Sequence, residues 1–287
     1  MAIHPHNALT LEEAEWLDRI RAIEPKAQEW LELTRTPPKP EERSSLACDS
    51  LGELEMDVAI YYQLCIAIEH LHFAITSITQ MQRTYPTAYM TVCRTGLIAS
   101  TNALWLLSGP TRQVRQKRLC IMKSQEFQEQ IAEFNSIPRL DGWEPDKTES
   151  LVAQIRAKQE WLQKIVETAG LGINVEKQKL NQTDVIEQTI KENFKGDDSD
   201  TKWFRYGISN QWRSGSAAAH ARSQYGMKQL GAKVPEAIAK GQKIVTLTAS
   251  LDGEIGPAVS GVFMVLKEAI RIFGLRSVCH LRPGDKP

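Results

Sequence analysis

Apolar residues recur at helical spacing along most of the chain. Leu17, Ile20, Ile23, Ala27, Trp30 and Leu31 follow a Thr10-Leu-Glu-Glu13 segment that has the form of a capping box. Residues 10–34 therefore predict one amphipathic helix, and Pro25 is expected to kink or split it. Residues 35–45 carry Pro37, Pro38 and Pro40 among charges, the pattern of a linker. This divides the chain into an N-terminal helical arm with its linker, 1–45, and a main helical bundle domain, 46–287.

Residues 54–83 are helical in pattern and strongly apolar, and Tyr85-Pro86 breaks them. Residues 88–107 are apolar almost all round, with Arg94 the one charge inside, which predicts a central, buried helix ended by Gly109-Pro110. An amphipathic helix over 111–136 follows, then a loop over 137–146 with two prolines, then a helix over 147–168. Gly170 and Gly172 mark a turn, and Thr183 is placed to cap a helix over 184–194. Residues 196–200 read as an exposed acidic loop, and 201 to about 229 as a further helix. Residues 226–253 are the least helical region, with a short strand or extended segment expected over 243–251. A final helix over 255–273 holds Pro257 in its first turn, where proline is tolerated. Helices joined by short breaks predict an all-α helical bundle.

Composition narrows the function classes. Lys+Arg and Asp+Glu are both 35 in 287 residues, so the whole surface is not built to hold nucleic acid or anionic membrane; a local basic patch is still allowed. The five cysteines are odd in number and scattered, which speaks against a disulfide framework. No basic-then-apolar leader opens the chain, and the apolar run 255–266 is too short to span a bilayer. The expected location is cytoplasmic, without a membrane.

The densest chemistry lies in residues 203–225, WFRYGISNQWRSGSAAAHARSQY. A run of small residues, 214–219, separates Arg213 from His220, and Trp203, Tyr206 and Trp212 precede it. Seven steps of about 100° bring Arg213 and His220 to one helix face, roughly 10 Å apart along the axis. Arg offers a charged fork to phosphate oxygens, and His moves a proton near neutral pH. Together they supply what metal-free RNA cleavage needs, a proton-transfer group and a cation for the charge that develops on phosphorus. The other reading of the same run is a close helix–helix contact, with His220 hydrogen-bonded in or near the core.

The Arg213–His220 spacing resembles the Arg-x(4–6)-His motif of the HEPN superfamily, small helical bundles of which many are RNases of bacterial toxin–antitoxin and phage-defence systems. The resemblance implies a metal-independent ribonuclease whose two motif copies meet at a homodimer interface. Arg213 and His220 would be catalytic, and RNA the partner. The position after the Arg, often Asn in that family, is Ser214 here. A second resemblance rests on residues 94–118, RTGLIASTNALWLLSGPTRQVRQKR, and on Arg213-Ser-Gly-Ser216-Ala-Ala-Ala-His220. Both segments look like motifs of uncharacterised actinobacterial helical proteins. Ile98 stands where many of those have Glu. That likeness implies a helical fold and no particular activity.

Arg94 is a candidate anion contact, or else a structural ion pair. Arg112, Arg115 and Arg118 share one helix face, expected either as a solvated face or as a collector of RNA phosphates, with Arg115 the substrate-binding candidate. Ser216, Trp203, Tyr206 and Trp212 complete the expected substrate- or ligand-binding set. Glu69 and His72 form a Glu-x-x-His pair with no second copy, so no metal is expected, and no cofactor motif appears. Three functions stand side by side: a HEPN-like ribonuclease, a non-catalytic helical module that binds a small molecule or a protein in a cleft lined by Trp203, Tyr206, Trp212 and Arg94, or a purely structural dimerisation module that uses the small-residue face.

Overall fold

The computed structural model describes residues 9–81, 85, 87–137, 145–222 and 250–280. Eight α-helices occur among them, with no strand. They are α1 (Leu11–Leu33), α2 (Met56–Met81), α3 (Ala88–Ser108), α4 (Arg112–Ser136), α5 (Pro145–Thr168), α6 (Gln182–Asn193), α7 (Ser199–Ala219) and α8 (Gly256–Ser277). A 3₁₀ turn, Ala47–Asp49, precedes α2, and a π-helical turn, Leu251–Ile255, leads into α8. The strand expected over 243–251 falls largely outside the described residues, and the helix expected to reach about 229 ends earlier, at Ala219.

The all-round apolar character of α3 has the consequence it predicts. Leu97, Ala103, Leu104, Leu106 and Leu107 are buried, and α2, α4, α6, α7 and α8 all pack against this helix. An α4–α5 pair extends the bundle on one side. Val152, Ile155, Leu162 and Val166 line the inner stripe of α5 at steps of three, seven and four. The α2 helix is long and apolar enough to cross a bilayer by length and composition alone. Ile60, Leu64, Ala67, Leu71, Ile75 and Ile78 on one of its faces are buried in the bundle.

The arm is packed, not free. Leu17, Ile20, Ala27 and Trp30 of α1 are buried against α2 and α8, and Trp30 stacks on Phe263 at 5.0 Å between ring centroids. Thr10 and Glu13 make both halves of the capping box. Of the two outcomes expected at Pro25 the split does not occur, because α1 runs through it; the hydrogen bond the ring removes is offset by buried neighbours on either side. The linker is held too, since Leu46 N donates to Arg276 O and Glu41 N to Ser277 O, both at the end of α8.

Two helix ends share one chain path. At the end of α5, Leu171 N donates to Val166 O and Gly170 N to Glu167 O, with Gly170 at φ 62°. At the end of α7, Arg222 N donates to Ala217 O and Ala221 N to Ala218 O, with Ala221 at φ 50°. Both are Schellman closures, which favour glycine at the left-handed position. The second uses alanine there.

Candidate functional site

The chain from Trp203 to Ala219 is one unbroken helix, so Gly215 does not interrupt it. Asp198 caps its start by accepting from Thr201 N. A Cβ at Gly215 would lie 2.7 Å from Arg94 Cβ and 2.9 Å from Met90 O, so the bare position lets α7 lie directly on α3. Ala217 and Ala218 are buried beside it. The small-residue run is thus a close helix contact over its buried positions.

Arg213 and His220 lie outside that contact. Arg213 is exposed and pairs with Glu187 of α6 at 3.3 Å, its side chain 64% accessible and that of Glu187 50%. His220 is the C-cap of α7 and is exposed; its backbone N–H donates to Ser216 O, and Ser216 itself is half-buried. No hydrogen bond joins the Arg213 and His220 side chains. The expectation that His220 sits in or near the core is corrected, because the helix ends at this residue and its ring lies at the surface.

The four residues expected to line one cleft separate into two places. Arg94 and Trp212 sit at the α3–α7 contact. The Arg94 guanidinium lies 4.7 Å above the Trp212 ring, and the indole Nε1 donates to Thr183 Oγ1 at 3.1 Å. Arg94 Nε is buried with no hydrogen-bond partner, and burial lowers the guanidinium's pKa from its ordinary value. No carboxylate among the described residues pairs with it. Trp203 and Tyr206, by contrast, are exposed at the start of α7, edge to face at 5.8 Å. Thr183 accepts from Trp212 and does not cap α6; Asn181 does that, accepting from Thr183 N.

Trp203 borders a cleft of about 370 Å³ between α7 and the Leu251–Gly256 entry to α8, a volume within the range of small-molecule sites. Trp16 of α1, Phe204 and Met264 contribute apolar surface, and Asn210, Gln211 and Ser214 contribute polar groups. Among its lining glycines, Gly207 leaves open space where a Cβ would lie, whereas a Cβ at Gly253 would meet Ser250 and one at Gly261 would meet Gln211. A π-helical turn forms one wall, a rare geometry met often at binding sites. Gln211 is only 6% exposed, and its Nε2 donates to Ala258 O at 3.0 Å. Sequence reading found Trp203 here and missed the wall supplied by α8, whose residues lie about fifty positions away in the chain.

Arg115 is not available to a substrate, which corrects the expectation. It is buried, its Nε donating to Asp49 Oδ2 at 2.5 Å, Nη2 to Asp49 Oδ1 at 2.8 Å and Nη1 to Gly109 O at 2.8 Å. Arg118 is buried as well, donating to Trp105 O and to both oxygens of Glu192. The face expected as solvated or RNA-collecting is instead a pair of structural clamps, with Arg112 3.7 Å from Asp49 at its margin. His72 Nε2 donates to Gln28 Oε1 and ties α2 to α1. Among the described residues no group of three His, Cys, Asp or Glu comes together to hold a metal.

Fold and site together define an all-α bundle with an aromatic-walled cleft at one end of α7. No family model, curated protein or solved structure matches the chain.

Proposed function

We propose that the protein is a helical binding module that takes a small molecule in the cleft between α7 and α8. The observation that carries this reading is the cleft itself. It joins two indoles, Trp16 and Trp203, to a short set of amide and hydroxyl groups in a volume of about 370 Å³. Apolar walls with a few placed polar groups are the general form of such sites. The test is a panel of aromatic fragments followed by ligand-observed NMR, with the Trp203→Ala variant beside the parent. Fragments that bind the parent and are lost in the variant support the module. No binder in the parent removes it.

A metal-independent ribonuclease of HEPN-like, defence or toxin type is the second reading, and one observation favours it. Arg213 and His220 are both exposed and seven positions apart, the first on α7 and the second at its C-cap. An RNA phosphate would compete with Glu187 for Arg213, while His220 moved the proton of the attacking 2′-hydroxyl. A homodimer would complete that site. Incubation with total RNA in EDTA, next to Arg213→Ala and His220→Ala, decides it: cleavage by the parent that both variants lose supports the enzyme, and intact RNA excludes it. Either reading is that of a cytoplasmic bacterial protein.

A further inference from the structure

Two arginines lie over tryptophans that α6 holds in place. The Arg118 guanidinium is 5.2 Å above the Trp105 ring, and Trp105 Nε1 donates to Gln188 Oε1 at 3.2 Å. Arg94 repeats the arrangement, 4.7 Å above Trp212, whose Nε1 donates to Thr183 Oγ1 at 3.1 Å. The two differ in one respect. Glu192 of α6 accepts from Arg118 with both oxygens, at 2.9 and 3.0 Å. Arg94 donates no hydrogen bond to a described residue, and its Nε is sealed from water without a partner.

A half-buried guanidinium without a counter-charge costs free energy, and nothing in the packing offsets this cost except the indole face. Burial is what moves its pKa, with no carboxylate drawing it back up. Glu187 of α6 is engaged by Arg213 instead. The side chain is also fixed in place. A Cβ at Gly215 would lie 2.7 Å from Arg94 Cβ and 3.4 Å from its Cγ, so α7 grips the stem, and Trp212 covers one face of the head. Nη1 and Nη2, unlike Nε, are open to solvent. That free edge matches two oxygens of a carboxylate or phosphate in one plane. The fold has already dried part of the cation and ordered its side chain, so an anion gains more here than at an exposed arginine.

We infer that Arg94 anchors an oxyanion site at the α3–α7 contact, taking the carboxylate or phosphate of a small molecule end-on through Nη1 and Nη2, in the role that Glu192 fills for Arg118. Trp212 sets the plane of the guanidinium and Gly215 the position of its stem. Neither Arg94 nor Trp212 lines the α7–α8 cleft, so this site goes beyond the binding-module reading and does not rest on it.

Proton–nitrogen correlation NMR of the parent protein tests this. The Arg94 Nε–H and the Trp212 indole N–H are the reporters, each assigned through correlations to its own backbone amide. The probes are sodium acetate, inorganic phosphate and a short single-stranded RNA, each against sodium chloride at matched ionic strength. Acetate or phosphate is expected to shift both reporters along a saturable curve that chloride does not reproduce, and the tighter of the two names the chemistry of the site. Arg94→Met keeps the stem and loses no hydrogen bond or ion pair, so it is expected to fold; its Trp212 response is expected to weaken about tenfold or more, the value of a charge-assisted bond. Trp203→Ala, which alters the cleft, is expected to respond as the parent does. Reporters that stay still, or that follow chloride as far as they follow acetate and phosphate, overturn the site. A response to RNA with none to either small anion overturns it as well and assigns Arg94 to nucleic acid. The parent titrations decide the matter whether or not the variants fold.

Discussion

Arg115 shows how a single side chain changes meaning once its surroundings are known. In the sequence it is one of three arginines at three-residue spacing, which speaks for a basic face. In the fold its fork grips Asp49, a residue of the 3₁₀ turn that follows the proline-rich linker, and its third bond goes to Gly109 O. A Cβ at Gly109 would press on the Arg115 stem, so the glycine that ends α3 also makes room for the clamp. Removing Asp49 leaves the Arg115 guanidinium buried without its carboxylate, and removing Arg115 leaves the buried Asp49 with Arg112 at 3.7 Å in place of two close hydrogen bonds. Arg115→Ala and Asp49→Ala are each expected to cost roughly 3–5 kcal/mol in urea unfolding, and the double variant less than the sum. Arg115→Lys is expected not to restore stability, because an ammonium cannot make the two parallel bonds. A loss under 1 kcal/mol for the single variants would show the clamp to be incidental.

Among elements, α7 carries most of the candidate site residues, and its two sides obey opposite rules. Gly215 faces α3 with no space beyond its Cα, whereas a Cβ at Gly207 would meet nothing within 4 Å. Alanine is the better helix former by about 1 kcal/mol, so Gly207→Ala is expected to stabilise the protein by that order. Gly215→Ala gains the same propensity and is expected still to destabilise, by about 1–3 kcal/mol of overpacking against Arg94 and Met90. Thermal unfolding of the two variants side by side reads the difference in sign. Equal shifts would mean that α7 is not seated on α3 at Gly215.

At the scale of the whole molecule, burial sets a limit on alkaline stability. It pushes the thiols of Cys93 and Cys120 up to about 12, and the Tyr89 phenol also to about 12. In the unfolded chain the same thiols lose their protons near 9.0. The folded state therefore binds more protons than the unfolded state between these values. Stability is fully present below pH 9 and is lost as pH rises from there toward 12, at roughly 1 kcal/mol per pH unit for each buried thiol. Melting temperatures measured from pH 7 to pH 11 are expected to fall above pH 9, and to fall less steeply in a Cys93→Ala, Cys120→Ala double variant. An unchanged slope in that variant would assign the alkaline loss to other groups.

Periodicity alone determined the helices. The stripe Leu17, Ile20, Ala27, Trp30 and the near-continuous apolar run of α3 are visible in one dimension, because a helix repeats every 3.6 residues whatever surrounds it. Capping was legible where the pattern was complete, as at Thr10 and Glu13, and misassigned where two polar residues competed, as at Asn181 and Thr183. Partners distant in the chain decided the rest. The sequence spacing that puts Arg115 and Arg118 on one face carries no sign of Asp49 or Glu192, and it is those acids that draw both arginines inside. Nothing near Trp203 or Gln211 announces the far wall of the cleft, which α8 supplies. A helix writes its own repeat into the sequence, but a cleft belongs to surfaces that meet only after the chain has folded.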